Sequence, residues 1–336
     1  MSDYYLSKLS PDEAKGYQEV VKGLTLGSER IKVHDIADMQ TLDKIVDAVR
    51  YDRTELFYVD FTRFSRCVSN DSSDYIPVYI YGYSERIEKK AAIEKKAEEI
   101  IRELKRSSAQ SVYEKCLWLH NYLVRNCTYD DEAIKEGADI KSAYTIEGVF
   151  LKNTAVCAGI ARAYSYLCGM VGIEALVARG RSIRPGCTDY GRHAWNIVLA
   201  GNDAIQTDVT WDMCITQKDG PVRYDYFFLP DIEMMRNHQY VGYPPCSNRE
   251  INMYSKMNAF FTSKEQIKDY IDKILEKKRG QKRIFIQFKM KKRKETKDEI
   301  KELVMDHIME RIHRSFTSSC GYNEIQSVFL FDITIK

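Results

Sequence analysis

Two runs of β-forming residues, separated by a glycine and an asparagine, constrain this chain most. His193 to Leu199 and Ala204 to Thr210 read as strands, and Gly201-Asn202 lies between them. A two-residue turn there makes an antiparallel hairpin in which Ala200 faces Asp203 and His193 faces Thr210. Side chains alternate along a strand, so Asp208 falls on the same face as His193, one diagonal step away. Register alone then brings an imidazole and a carboxylate together. A one-residue bulge would reverse this parity.

A third group stands upstream. Ile160, Tyr164, Leu167 and Val171 have helical spacing, and Asn153 or Thr154 is the expected N-cap. Cys157 then lies in the first turn, where open N–H groups and the helix dipole favour a thiolate. A thiol, an imidazole to take its proton and a carboxylate to fix the imidazole tautomer are the parts of a nucleophilic triad. The blander reading of Cys157 is a small buried apolar residue, the usual state of a free cysteine. For His193 it is a strand histidine bonded to backbone, and for Asp208 a solvated strand carboxylate. The order and local context of the three favour the triad. Asp212 is a rival to Asp208 but is expected beyond the strand. Trp195 and Trp211 are read as packing residues whose faces also shield the imidazole–carboxylate pair from water. Cys168 lies late in the Cys157 helix, and Cys187 and Cys214 lack an activating helix start. His120 is read as structural. His34, His238, His307 and His313 carry no partner signal.

Together these segments resemble the transglutaminase-like superfamily, a papain-like group with a Cys-His-Asp triad. The matching features are Val156-Cys157-Ala158-Gly159 opening a helix, His-Ala-Trp-Asn at 193–196, and Asp208-Val209-Thr210-Trp211. The upstream EKCLWLHNYLVRN, followed by CTYDD, and Tyr224 to Leu229 also resemble bacterial members. The resemblance covers residues 105–240. It implies an α+β fold with a papain/transglutaminase-like core, the nucleophile helix packed on an antiparallel sheet. It also implies a cysteine enzyme that forms a thioacyl intermediate. Such an enzyme is a hydrolase (protease or amidase) or an acyltransferase of the transglutaminase type, and its substrate is a protein or peptide. The alternative is a non-catalytic binding or scaffold protein with the same fold. No cofactor and no metal are expected, and the calcium-binding domains of the animal enzymes have no visible counterpart. The backbone N–H of Cys157 is the expected oxyanion donor. Related enzymes add a side-chain donor from an upstream Gln, Trp or Tyr. Tyr144, in SAYTIEGVF, is the nearest candidate, against the reading of an ordinary core tyrosine.

A chain of 336 residues is long enough for two domains or three small ones. Three parts are expected. Residues 1–105 form an N-terminal α+β extension, with strands at 55–61 and 76–83, a polar loop at 69–74 and a long charged helix from Glu85 to Arg106. Residues 106–245 form the transglutaminase-like core. Residues 246–336, beyond Pro244-Pro245, form a small α+β accessory domain. Its signals are a capping box at Ser263 and Gln266, an alternating strand at Ile284, Ile286 and Phe288, a helix from Glu295 to Arg314 and a strand from Val328 to Ile335. The net charge of +2 argues against a general nucleic-acid or membrane binder. The basic runs at 277–283 and 289–294 interleave no aromatics and read as a solvated loop and strand end. Nine cysteines behind an N-terminus without an apolar leader suggest reduced thiols in the cytoplasm. No C-x-x-C pair suggests structural zinc. The sequence leaves the oligomeric state open.

Overall fold

The structure, a computed structural model, describes residues 2–183, 187–201, 203–248, 252–291 and 296–336. The expected loop at Pro185-Gly186, the turn residue Asn202 and Glu295 lie outside these.

Helix α1 (Pro11–Leu26) opens on a capping box between Ser10 and Glu13 and closes on left-handed Gly27. Strand β1 (Ile31–His34) and helix α2 (Met39–Asp52) follow, then β2 (Val59–Val68) and β3 (Ser72–Tyr79). The strands form one sheet in the order β1-β3-β2. The run expected as a strand from 55 becomes one only at Val59. Conversely, half of the polar stretch 69–74 is already strand. Ser73 is buried there and donates to the Ile36 carbonyl, so a polar side chain fits the interior.

The long helix α3 (Tyr83–Arg106) buries Ile93, Ala97, Ile100, Ile101 and Leu104 on one stripe. Helix α4 (Val112–Asn126) begins at a Ser111–Glu114 capping box. Strand β4 (Thr128–Tyr129) pairs in parallel with β5 (Thr154–Ala155), beyond α5 (Ile146–Lys152). Helix α6 (Cys157–Met170) then carries the cysteine. One apolar cluster runs from Tyr17 through α3, α4 and α6 to Phe228, so the N-terminal residues share the core of the central part.

The N-cap expectation is corrected. Asn153 ends α5 in the left-handed conformation (φ 53°), and Val156 precedes Cys157 with no side-chain cap. Pairing with Thr128-Tyr129 holds Thr154-Ala155 extended, which delays the helix to Cys157.

Helix α6 packs on β6 (Glu174–Ser182) and β7 (Gly191–Ala200). With β8 (Asp203–Thr207), β9 (Phe227–Leu229) and β10 (His238–Gln239), these form an antiparallel sheet ordered β10-β6-β7-β8-β9. Ala200 faces Asp203 as the turn predicts. The ladder nevertheless ends at Asn196–Thr207, and His193 pairs with Gly180 on the other side rather than with Thr210. Residues Val209–Ile215 are helix α7, with Asp208 as N-cap. The Asp208 carboxylate accepts the Trp211 N–H at 3.0 Å, a local bond that competes with continued pairing. Of the stretch Tyr224 to Leu229, only Phe227–Leu229 is strand, and α8 (Asp231–Met234) follows.

The tail comprises α9 (Met253–Lys256), β11 (Phe260–Phe261), α10 (Lys264–Lys277), β12 (Arg283–Met290), α11 (Lys297–Arg311), β13 (Phe316–Asn323) and β14 (Val328–Ile335). The Ser263–Gln266 capping box and the burial of Ile284, Ile286 and Phe288 match expectation. The strand β13, FTSSCGYN, was not anticipated. It is a half-exposed edge of the sheet β11-β12-β14-β13, and an edge tolerates polar residues. The tail has its own apolar cluster, from Tyr254 to Ile333. Cys246 instead packs with Trp195 and Trp211 in the central part, and its N–H donates to Asp231. Among the described residues, no helix is long and apolar enough to cross a membrane.

Candidate active site

Cys157 is the first residue of α6, and the first N–H groups of a helix have no partner within it. Its own N–H is one of them. The helix sits very close to the preceding segment. A Cβ on Gly159 would meet the Ala143 carbonyl at 2.4 Å and the Thr145 carbonyl at 2.9 Å. Glycine there lets the backbone of 143–145 approach the helix start.

His193 stands on β7 opposite Gly180. Its Nε2 lies 2.6 Å from Asp208 Oδ2. The other ring nitrogen, Nδ1, is left for Cys157, with which His193 interacts electrostatically. Asp208 is fully buried and rigidly held. Its N–H donates to the Tyr226 carbonyl, Oδ1 caps α7, and Oδ2 receives His193. The three residues singled out in the sequence therefore meet, although Asp208 reaches His193 from a helix cap rather than from a strand.

The charges reinforce one another. Burial alone would raise the Cys157 thiol, but the His193 hydrogen bond and charge, with the Ala194 N–H, bring it below its ordinary value. Burial disfavours a charged His193, yet Asp208, then Cys157, raise it to about 10. Burial likewise opposes the Asp208 charge, and His193 and His238 hold it well below the ordinary carboxylate range. All three shifts run in the direction of a thiolate–imidazolium pair on a buried carboxylate.

Trp195 stacks on the His193 ring, with centroids 5.8 Å apart and planes at 18°, and Trp211 meets it edge-on at 6.1 Å. Both rings thus pack against the imidazole. Trp195 Nε1 donates to Gln206 and is thereby fixed.

His238 is the residue that the sequence reading missed. Its Nε2 lies 3.1 Å from the same Asp208 oxygen, and it is buried among Trp195, Trp211 and Tyr226. Burial lowers its pKa, so it acts as a neutral donor to Asp208. Its only sequence signal is the HQY run that forms β10. Together His193, Asp208 and His238 could also ligate a cation, but the hydrogen bonds already join both imidazoles to one oxygen.

Asp212 turns away from the triad. It bonds His120 Nε2 at 3.0 Å in a buried pair. Burial, then Asp225, pushes its carboxyl up, and burial lowers His120 to about 4. This buried pair lies apart from the triad. His307 and His34 also find carboxylates, Asp272 and Glu19, far from the site. Tyr144 lines the groove beside Cys157, but its hydroxyl donates to the Ala133 carbonyl at 3.0 Å. Its one proton is committed there, so as placed it does not supply the second oxyanion donor.

Cys157 and His193 open on a groove of about 1140 Å³. Its walls include Tyr5, Tyr51, Tyr243, Val156 and Val177.

Residues 97–211 match the Transglutaminase-like superfamily. The match includes all three triad positions. No curated protein matches the chain. Two solved structures are similar. One is a TGase, 16% identical with a TM-score of 0.31, matched over 54% of this chain and 51% of that one. The other is described as "a Putative Cysteine Protease from Cytophaga hutchinsonii", 12% identical with a TM-score of 0.28, matched over 44% of this chain and 61% of that one. The chain thus spans less than two thirds of either structure.

Proposed function

We propose that this chain, which carries a transglutaminase-like domain at residues 97–211, is a cysteine-nucleophile acyl-transfer enzyme acting on amide bonds. The observation that carries this reading is the 2.6 Å His193–Asp208 bond beside a cysteine at a helix start. The Cys157 thiolate attacks the amide carbonyl. The resulting oxyanion meets the open N–H of Cys157. Imidazolium His193 gives its Nδ1 proton to the leaving amine as the C–N bond breaks, leaving a thioacyl enzyme. Neutral His193 then takes a proton from the acceptor, which attacks the thioester and restores the thiolate. Asp208 keeps Nε2–H in place throughout, and its buried charge stabilises each imidazolium. Water as acceptor gives a peptidase or amidase. A primary amine gives a transglutaminase.

The test is to trap the intermediate. The protein is incubated with peptide amide mixtures, quenched in acid and analysed by intact mass. The expected result is an acyl adduct on Cys157 that hydroxylamine releases and that Cys157→Ala lacks. Absence of any adduct, with a thiol no more reactive than free cysteine, would favour a binding protein.

A further inference from the structure

The groove at Cys157 is lined by Arg50, Arg162, Arg179, Arg181 and Arg192, and among the described residues by no Asp or Glu. Two of these arginines, Arg50 and Arg162, are set apart by a buried guanidinium nitrogen without an acceptor. Arg179 pairs with Asp47 at 3.2 Å, and Arg181 donates to the Tyr190 carbonyl. Arg50 and Arg162 have no ion-pair partner among the described residues, and the Nε of each is buried without a hydrogen-bond acceptor. Arg162 is only 9% exposed. Its two terminal nitrogens reach backbone carbonyls only, Tyr144 at 3.2 Å and Arg50 at 3.5 Å. Both guanidinium groups lie over the Tyr51 ring, at 5.3 and 5.9 Å.

Two like charges are therefore held over one ring, partly out of water, and among the described residues neither has a paired anion. Such an arrangement is costly unless a counter-charge completes it. Burial, then Arg50, lowers Arg162 to about 10, which still leaves it charged near neutrality. Both arginines also line the small cavity next door, whose carboxylates are already taken: Asp60 by Thr62, Arg63 and Lys141, and Asp139 by Lys141. Guanidinium forks suit carboxylates in two-point contact.

We propose that Arg50 and Arg162 form a carboxylate-binding subsite of the acyl-donor groove, so that the enzyme selects peptides bearing a carboxylate close to the amide it attacks. The inference rests on the acyl-transfer reading of Cys157. Arg162 follows Cys157 by five positions on α6, about 7.5 Å along the axis, a distance spanned by about two residues of extended peptide. The carboxylate is thus an acidic side chain or a free α-carboxyl within that reach.

Three compounds of nearly one shape test this: N-acetylglutamine, with a free α-carboxylate; N-acetylglutamate α-amide, with a side-chain carboxylate; and neutral N-acetylglutaminamide. Binding is followed by calorimetry and, in the same samples, by protection of Cys157 from iodoacetamide. One or both anions are expected to bind about 10-fold or more tightly than the neutral compound. The preferred anion identifies the source of the carboxylate. Arg50→Gln should remove the preference, and Arg162→Gln should do the same if it melts cooperatively. Equal binding of all three, no binding of any, or a preference that survives Arg50→Gln overturns the subsite. A charge preference sensitive to Arg50→Gln at a protein whose Cys157 is slow to alkylate would uphold the subsite and count against the catalytic reading instead.

Discussion

Asp208 performs two tasks that substitution can separate. Oδ1 caps α7 and Oδ2 holds His193 and His238. Asparagine keeps a cap but loses the charge that stabilises the imidazolium. Asp208→Asn is therefore expected to lower turnover on the order of 100-fold or more while the thermal midpoint stays near wild type. Preserved activity per folded molecule with a large fall in midpoint would make the carboxylate structural. His238→Phe deletes a buried hydrogen bond to a charged group, so it should cost on the order of 2 kcal/mol in chemical denaturation. It should also slow Cys157 alkylation by loosening Asp208. A variant as stable and as reactive as wild type would remove His238 from the site. The raised pKa of His193 sets a pH dependence. Its folded value is about 10 against an ordinary 6.5, so its contribution is fully present below 6.5 and is lost as pH rises through 10. The stability gap between wild type and His193→Gln should narrow over that window. At this scale Cys157, His193 and Asp208 were legible because each sits in a local context that implies its chemistry. His238 was not, because it comes from a two-residue strand whose place is set by pairing with distant Ser182 and Arg181.

The start of α6 is the element on which the nucleophile depends. Its position is fixed by the β4–β5 pairing and by the close seat that Gly159 allows. Gly159→Ala would drive a methyl group into the Ala143 and Thr145 carbonyls, at a cost of about 1–3 kcal/mol typical of overpacking. The expected outcome is a lower midpoint together with slower Cys157 alkylation, because the helix start must move. Unchanged alkylation would show that the thiol does not depend on this seat. Periodic elements were readable from sequence. The stripe of α3 and the apolar positions Ile284, Ile286 and Phe288 of β12 report burial directly. The switch from β8 to α7 was hidden because Val209 and Thr210 favour strand, while the deciding bond, Trp211 N–H to Asp208, is a cap. Asn153 was misread for the same reason: a residue that caps helix starts also tolerates the left-handed end of the preceding helix.

Across the whole molecule, the tail keeps its own core but is tied to the central part by buried polar bonds. Asn323 and Tyr254 donate to Asp225, and buried Lys289 pairs with Glu233. Arg223 remains on Asp225 when the tail is removed. A fragment of residues 1–248, which retains the Cys246–Asp231 bond, should fold cooperatively with a lower midpoint and keep Cys157 reactivity. A cooperative fragment with an inert thiol would mean that the tail completes the site. The shared core and the buried ties were not legible in the sequence, because those contacts join residues far apart in it. The central claim concerns the thiolate–imidazolium pair. Its most direct measurement is the rate of Cys157 alkylation by iodoacetamide against pH, in wild type and His193→Ala. The account predicts a wild-type plateau reaching well below the ordinary thiol value of 9.0, with an inflection that moves upward in His193→Ala. An inflection near 9.0 in both proteins would contradict it.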